Sequence, residues 1–145
     1  MKEALYWEKA GGAAHCLLCP HGCKIVNGVT GICGVRRNID GKLYTLVYGE
    51  TTSFSLDPIE KKPLYHYHPG EKILSLGTKG CNFKCLFCQN WAISQDLDAQ
   101  TQKITSQWVV DKAKECNSFG IAYTYNEPFI WYEFVLETAK LAKKE

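Results

Sequence analysis

The chain has 145 residues, of which 46% are hydrophobic and 22% are charged, with a formal net charge of +2. This length suits one ordinary domain, or a small lobe joined to part of a larger one. The small net charge and the lack of long Lys/Arg runs exclude an electrostatic argument for nucleic-acid binding. The N-terminus contains Glu3 and Glu8 and no continuous apolar segment, so we expect no signal peptide, no membrane anchor and a cytoplasmic location.

Cysteine placement favours metal binding over disulfide bonding. Seven of the eight cysteines fall into two clusters, one within residues 16–33 and one within residues 81–88. Secreted disulfide frameworks usually spread their cysteines along a short chain, whereas close spacing without a secretion signal favours metal or iron–sulfur ligation. The eighth, Cys116, is interpreted as a small core residue on a helix face.

Residues 1–70 are predicted to form a cysteine-rich N-terminal region with a connecting strand and loop. The sequence up to about Asn38 shows little periodicity and many glycine-containing turn signals, and KLYTLVYG, from Lys42, is a strand candidate. The following TTSFSLDPIEKKPLYHYHPG is predicted to be a loop. Because the N-terminal segment can bury little apolar surface, a bound metal would supply much of its folding free energy.

Residues 71–145 show alternating strand and helix patterns. The predicted elements are a strand at Ile73–Leu76 ending at Gly77, a helix at Ser106–Asn117 with Thr105 or Ser106 as its N-cap, a strand at Phe119–Tyr125, and a helix from Phe129 with Pro128 in its first turn. This order favours parallel strands, and ligands bind at the carboxyl ends of such strands. Two polar segments follow the predicted strands there: a three-cysteine loop and Tyr125-Asn126-Glu127-Pro128.

The cysteines at positions 81, 85 and 88 have the spacing CxxxCxxC. A structural zinc site is closed by four ligands, so three thiolates would leave it incomplete. A cubane iron–sulfur cluster normally takes four cysteines, so three leave one iron open to an outside ligand. The loop therefore favours an iron–sulfur cluster with a free coordination position.

The segment CNFKCLFC, from Cys81 to Cys88, resembles the CxxxCxΦC signature of the radical S-adenosylmethionine superfamily, with Phe87 before the last cysteine. The resemblance implies a [4Fe–4S] cluster bound by Cys81, Cys85 and Cys88, with S-adenosylmethionine on the free iron. It also implies reductive cleavage to methionine and a 5′-deoxyadenosyl radical, chemistry that the cofactor performs and the protein positions. Phe87 would lie near the adenine; a buried loop aromatic is the alternative.

Longer segments narrow the resemblance. DPIEKKPLYHYHPG, LSLGTKGCNFKCLFCQNWAISQ and AYTYNEP together are similar to enzymes of the pyruvate formate-lyase activating type, including the AmmeMemoRadiSam branch. In the superfamily a short acidic motif after the second strand, often Gly-Gly-Glu, contacts the amino group of S-adenosylmethionine. The matching residues are Tyr125, Asn126 and Glu127, which differ from that motif at its first two positions. Taken alone, Glu127 equally suits a helix N-terminus.

A second candidate site lies in HCLLCPHGCKIVNGVTGICGVR. Four thiols beginning with CxxC suit a closed tetrahedral zinc site, with two histidines as further nitrogen donors. A second iron–sulfur cluster would use the same four thiols, and unligated thiols are a third interpretation. The residues concerned are Cys16, Cys19, Cys23 and Cys33, with His15 and His21.

The polar segment before the first predicted strand has two interpretations. Its charged residues could bind an anionic group or a peptide, or could lie in a solvated turn; they are Asp57, Glu60, Lys61 and Lys62. His66 and His68 alternate in YHYHP, which points both to one side of an extended segment, toward a cluster or simply into solvent.

The expected fold class is α/β: a partial (β/α) radical S-adenosylmethionine barrel, truncated after about two βα units and preceded by a small Cys-rich N-terminal lobe. Residues 71–145 would be the N-terminal part of the barrel. Because the superfamily core has more βα units than this chain supplies, we expect a fragment of a longer enzyme, or a chain that another chain completes.

Three functions remain open at the sequence level. The first is a radical S-adenosylmethionine enzyme, or its N-terminal part, that installs a glycyl radical on a partner protein. The second is the same chemistry on an unidentified small molecule or protein residue, and the third is a non-catalytic metal-binding module. The expected partners are a substrate and an electron donor of the flavodoxin or ferredoxin type, with no nucleic acid and no membrane.

Overall fold

The computed structural model describes residues 1–145. No helix has the length and apolar character that crossing a lipid bilayer requires. The eleven strands are β1 (Lys2–Glu3), β2 (Trp7–Ala10), β3 (Ala13–Cys16), β4 (Lys24–Ile25), β5 (Arg36–Ile39), β6 (Lys42–Thr45), β7 (Glu50–Thr51), β8 (Ser53–Pro58), β9 (Lys72–Gly77), β10 (Gln102–Lys103) and β11 (Ile121–Tyr123). The three α-helices are α1 (Trp91–Ser94), α2 (Ser106–Glu115) and α3 (Tyr132–Ala142), and 3-10 helices lie at Ile59–Lys61 and Pro128–Trp131.

The N-terminal region forms two three-stranded antiparallel sheets, with strand orders β2-β3-β4 and β1-β6-β5. The β5–β6 hairpin turns at Asp40 and Gly41, whose φ angles of 50° and 80° suit the two-residue turns that match strand twist. Leu43 and Thr45 on β6 point into the interior and are buried. Only β6 was predicted from the sequence here, because the run KLYTLVYG continues its pattern beyond the strand, whereas the other strands have two to four residues and no such continuation.

A third sheet, with the strand order β8-β9-β11, contains the chain's one parallel pair of strands. β8 pairs with β9 in antiparallel orientation along its whole length, from Ser53 opposite Gly77 to Pro58 opposite Lys72. β11 pairs with the other edge of β9, with Ile121 opposite Leu74. β9 is therefore the central strand. Separately, β7 and β10 form a two-stranded antiparallel ribbon.

The predicted fold class is wrong. The structure is a small mixed fold of four small sheets and three α-helices, without a barrel and without a repeated βα pattern. The strand–helix–strand order after Lys72 produces only the single pair β9 and β11, with α2 between them in the chain. The other edge of β9 pairs with β8, which lies in the segment predicted to be a loop, and the residues before β7 form the two N-terminal sheets.

The helix predicted after Thr105 is confirmed. Thr105 accepts a hydrogen bond from Trp108 N at 3.0 Å, which satisfies one of the free amides of the first turn of α2. Val109 and Ala113 are buried, whereas the half-buried Cys116 caps the C-terminus of the helix.

Two hydrophobic clusters form the interior. The large core lies between the third sheet, α2 and the Pro128–α3 segment, and it comprises Cys33, Val35, Val47, Leu74, Leu76, Ile104, Val109, Ala113, Ile130, Trp131 and Phe134. The small core lies within the N-terminal sheets and comprises Ala4, Ala14, Cys16, Ile25 and Leu43. Each core thus includes one of the four N-terminal cysteines.

Candidate functional site

The cysteine loop, residues 78–90, leaves the carboxyl end of β9 and leads into α1. Cys81, near its start, is buried, Cys88 is half-buried and Cys85 is exposed. The loop contains neither a helix nor a strand, so no regular backbone hydrogen bonding fixes the separation of the three thiols. The loop is attached to the central strand of the third sheet, and its first residues up to Asn82 are largely buried, whereas residues 83–87 are exposed.

The segment after β11 lies directly against the start of the cysteine loop. Thr124 N donates to Leu76 O at 2.8 Å, which extends the parallel pairing to the ends of both strands. Asn126 Nδ2 then donates to Gly80 O at 2.8 Å and joins the two segments. The geometry follows from the parallel pair, because the carboxyl ends of parallel strands lie at the same edge of a sheet.

Gly77 allows this close approach. A Cβ atom at that position would lie 2.6 Å from Thr124 O and 3.0 Å from the Cβ of Tyr125. The first contact is with backbone, which cannot move aside as the end of a flexible side chain can. Glycine at position 77 is thus needed for the two strand ends to meet.

Tyr125 adopts a left-handed backbone conformation, with φ of 72°. That region costs a residue with a Cβ roughly 1–2 kcal/mol, and such outliers concentrate at binding and catalytic sites. The conformation lets its hydroxyl donate to Asp57 Oδ2 at 3.0 Å. Burial and the hydrogen bond to Asp57 raise the pKa of Tyr125 to about 12.

Asp57 is the centre of a buried polar network that the sequence analysis left undecided between a binding group and a solvated turn. Its side chain is 4% exposed and pairs with Lys61 Nζ at 2.9 Å and Lys62 Nζ at 2.7 Å. Burial acts to raise the pKa of Asp57, but hydrogen bonds from Lys62, Lys61, Ser75 and Tyr125 hold it well below its usual range. The solvated-turn interpretation is wrong for Asp57, and no local sequence pattern identifies Tyr125 as its partner.

Glu127 and Phe87 lie on the two segments but have different surroundings. Glu127 Oε1 accepts a long hydrogen bond, 3.4 Å, from Phe129 N and caps the 3-10 helix that begins at Pro128. The helix-terminus interpretation of Glu127 therefore applies, and this long bond leaves most of the capacity of its carboxylate to accept hydrogen bonds unused. Phe87 is 89% exposed, with the fully exposed Leu86 beside it, so it is not a buried loop aromatic in this structure.

The cysteine loop fits a cluster in its donor chemistry, although its sulfur atoms are not gathered. As placed, no three His, Cys, Asp or Glu side chains form a group that could hold a metal ion. At the base of the loop, however, Thr78 Oγ1 and Asn82 Oδ1 are buried without any hydrogen-bond partner. Such atoms are rare in folded proteins and call for a partner that the chain itself does not supply.

Cys88 has the electrostatic environment of a metal-binding thiol. Hydrogen bonds from Ser94 and Gln95 lower its pKa, and its Sγ lies 3.7 Å from Ser94 Oγ. A lower pKa favours the thiolate, which is the form that binds iron and other metals.

The four N-terminal cysteines, Cys16, Cys19, Cys23 and Cys33, line one cavity. The neighbouring histidines are engaged elsewhere: His15 Nδ1 lies 3.1 Å from Glu8 Oε1, and His21 Nε2 lies 2.9 Å from Asn82 O. The second contact connects the N-terminal cysteines with the cysteine loop, which the sequence analysis did not anticipate. His68 stacks on Phe119 at the amino end of the parallel strands, away from both cysteine groups.

Comparison with known proteins finds similarity to a longer protein. The chain is 43% identical over 147 aligned residues to "Uncharacterized protein MJ0808" of Methanocaldococcus jannaschii. The match covers 99% of this chain and 44% of that protein, so the chain spans less than half the length of this relative. No family model matches the chain, and no solved structure matches it.

Proposed function

We propose that this chain is the cluster-binding part of a radical S-adenosylmethionine enzyme of the pyruvate formate-lyase activating type. Cys81, Cys85 and Cys88 bind a [4Fe–4S] cluster, and Phe87 and the Tyr125-Asn126-Glu127 segment contact S-adenosylmethionine. The observation that most strongly supports this role is the hydrogen bond from Asn126 Nδ2 to Gly80 O. It connects the cysteine loop to the segment proposed to bind the cosubstrate.

The chemistry depends on three thiolates and one open iron. When bound together, the cluster and S-adenosylmethionine supply a one-electron reductive cleavage that gives methionine and a 5′-deoxyadenosyl radical. The protein supplies ligands and positions: hydrogen bonds from Ser94 and Gln95 lower the pKa of Cys88, which favours its thiolate form. Thr78 and Asn82 offer buried side-chain oxygens at the base of the loop that are free to hydrogen-bond to a bound group.

Recognition of S-adenosylmethionine requires an acceptor for its ammonium group and an apolar surface for its adenine. The Glu127 carboxylate makes only one long hydrogen bond, at 3.4 Å, so it is free to accept from an ammonium. Phe87 is exposed and offers an aromatic face on the cysteine loop. Burial of this ring against adenine would account for a large aromatic residue that has no packing partner in the chain.

The class of reductant follows from the type of enzyme proposed, whereas two classes of substrate are compatible with it. The reduced cluster needs an electron donor, for which a flavodoxin or a ferredoxin is suited. The hydrogen donor is either a glycine residue of a partner protein or a different substrate, and the described residues favour neither. The relative is more than twice as long as the region that matches this chain. That the whole-length protein carries out this reaction is part of the same proposal.

A second candidate, a non-catalytic metal-binding module, is favoured by the fold. The chain has a single parallel pair of strands rather than an enclosing sheet, so the exposed Cys85 and Phe87 are not screened from solvent. Radical chemistry requires such screening, because a closed site prevents side reactions of a reactive intermediate. A module would bind the cluster without cleaving S-adenosylmethionine.

Anaerobic reconstitution with iron and sulfide tests both candidates. The dithionite-reduced protein should give a [4Fe–4S] electron paramagnetic resonance signal that S-adenosylmethionine perturbs, and should release 5′-deoxyadenosine. Cys85→Ala should abolish the signal, whereas the control Cys116→Ala, which alters a thiol outside both cysteine groups, should retain it. A cluster without cleavage supports the module. Failure of the unsubstituted protein to assemble a cluster contradicts both candidates.

A further inference from the structure

The cavity between the four N-terminal cysteines has the size of a single bound ion. Its volume is about 20 Å³, which is close to the space that one water molecule or ion occupies. The cysteines line it from separate places: Cys16 ends β3, Cys23 precedes β4, and Cys33 precedes β5. Cys19 completes the set from the turn between β3 and β4. Four cysteines lining an ion-sized space can supply the donor set of a closed tetrahedral site.

A buried hydrogen-bond donor without a partner, Arg36 Nε–H, indicates that the same cavity can hold a negatively charged group. Arg36 lines the cavity and is 2% exposed, and its Nε–H has no hydrogen-bond partner. Its two terminal nitrogens are already used, by Glu133 and by Leu5 O. Metal-bound thiolates are commonly stabilised by outer donors of this kind.

The cavity also lies between the two hydrophobic cores. Cys16 belongs to the small core and Cys33 to the large core. An ion bound to both thiolates would connect two clusters that are otherwise held together by side-chain packing and hydrogen bonds. The short strands of the N-terminal region would then owe much of their stability to the ion, because ligand binding to the folded state alone stabilises it.

The same residues support the base of the cysteine loop. His21, between Cys19 and Cys23, places Nε2 2.9 Å from Asn82 O. Gly80 is so close to the Cys33 segment that a Cβ atom there would lie 2.9 Å from Cys33 O. The N-terminal cysteine segments therefore contact the loop immediately on both sides of Cys81.

We propose that Cys16, Cys19, Cys23 and Cys33 bind one zinc ion, and that this zinc holds residues 80–82 in place through His21 and the Cys33 backbone. The cavity volume favours a single ion over an iron–sulfur cubane, which needs room for four irons and their sulfides. As placed, the sulfurs do not form a group that could hold an ion, so binding includes rotation of the thiols about χ1 toward the cavity.

The zinc itself is tested in the full chain carrying Cys81→Ala, Cys85→Ala and Cys88→Ala. With these thiols removed, metal content measured by mass spectrometry of the digested protein reports the N-terminal cysteines alone. We expect about one zinc per chain, and its loss when Cys19→Ser is added. Adding Cys116→Ser instead should leave the zinc content unchanged. Because this chain cannot bind the proposed cluster, the result is independent of the radical function.

Cobalt substitution keeps the zinc proposal testable if Cys19→Ser fails to fold. Cobalt(II) in place of zinc should give the intense visible bands of a tetrahedral thiolate site. Weak bands of an octahedral site contradict the proposal, as do iron in place of zinc, no metal at all, or a zinc content that a folded Cys19→Ser chain retains.

Support of the loop is tested by hydrogen–deuterium exchange of a peptide covering residues 78–90. Removal of zinc from the same chain by a chelator should increase exchange in this peptide. His21→Ala should increase it as well while keeping the zinc, because His21 touches the loop but is not a proposed ligand. Unchanged exchange in both cases would show that the zinc does not support the loop, even if it binds.

Discussion

Arg36 and Glu133, 97 residues apart in the chain, form a bidentate ion pair in the protein interior. Their side chains are each 2% exposed, and the two N–H···O distances are 3.0 and 3.2 Å. Glu133 also accepts a hydrogen bond from Leu5 N at 2.7 Å. One carboxylate on α3 therefore connects the N-terminal segment, β5 and the C-terminal helix.

Removing the charge of Glu133 should destabilise the fold strongly. Glu133→Gln keeps the shape of the side chain but leaves the guanidinium of Arg36 buried without a counter-charge, which costs about 3–5 kcal/mol. Urea denaturation should show this decrease in the free energy of unfolding. Glu115→Gln, which breaks the exposed pair with Lys112, should cost less than about 1 kcal/mol. Similar losses for the two variants would contradict the role of the buried pair.

Asp57 should make the free energy of unfolding decrease as the pH becomes acidic. Its folded-state pKa lies well below that of an unfolded aspartate, which is about 3.9. The unfolded state therefore takes up a proton first as the pH falls, so the stabilising contribution is complete at neutral pH and is lost progressively from about pH 4–5 down to the lower folded-state pKa. Asp57→Asn cannot titrate at this position. Denaturation between pH 7 and pH 2 should show a shallower loss of stability for the variant, and parallel curves would count against the network.

Alanine should be tolerated at Gly120 but not at Gly77. A Cβ at Gly77 meets Thr124 O at 2.6 Å, whereas a Cβ at Gly120 meets nothing within 4 Å. Gly77→Ala should force the ends of β9 and β11 apart and cost about 1–3 kcal/mol, the usual range for overpacking. Gly120→Ala should change stability by less than about 1 kcal/mol. Thermal denaturation of the pair measures the difference, and equal stabilities would show that the strand ends separate freely.

Turnover should depend on the hydrogen bond between Asn126 and the cysteine loop. Asn126→Asp keeps the size of the side chain but replaces the Nδ2 donor with an oxygen that repels Gly80 O. If the proposed function holds, 5′-deoxyadenosine released per assembled cluster should fall about tenfold or more, as with other residues that orient ligands. Gln107→Ala, on the exposed side of α2, should have no effect. Normal turnover by Asn126→Asp would remove this residue from the site.

The elements predicted correctly are those whose signal lies within a few neighbouring residues of the sequence. Thr105 was identifiable as a helix cap because its hydroxyl satisfies an amide only three residues away. β9 was identifiable from its short apolar run, and the structure buries its residues from Ile73 to Gly77. β8 was missed because Ser, Asp and Pro have low strand propensity, and its pairing partner β9 rather than its own residues makes it a strand.

The larger errors concern contacts between distant residues. A βαβ order is compatible with many architectures, and the predicted barrel failed because β8 occupies an edge of β9 in antiparallel orientation. Likewise, single charged residues such as Asp57 and Glu133 have no local pattern that identifies their partners. The pairing of Asp57 with Tyr125 joins residues 68 positions apart and depends on the left-handed backbone at Tyr125.

The central position of β9 gives the cysteine loop a firmly held attachment point. β9 is hydrogen-bonded to β8 on one edge and to β11 on the other, and its residues from Ile73 to Gly77 are buried. Strands of this kind open only in the rarest, most global fluctuations of a protein. The exposed part of the loop beyond Asn82 can therefore form contacts with a ligand without loosening the sheet, and a protein that has lost this ligand can keep the sheet intact.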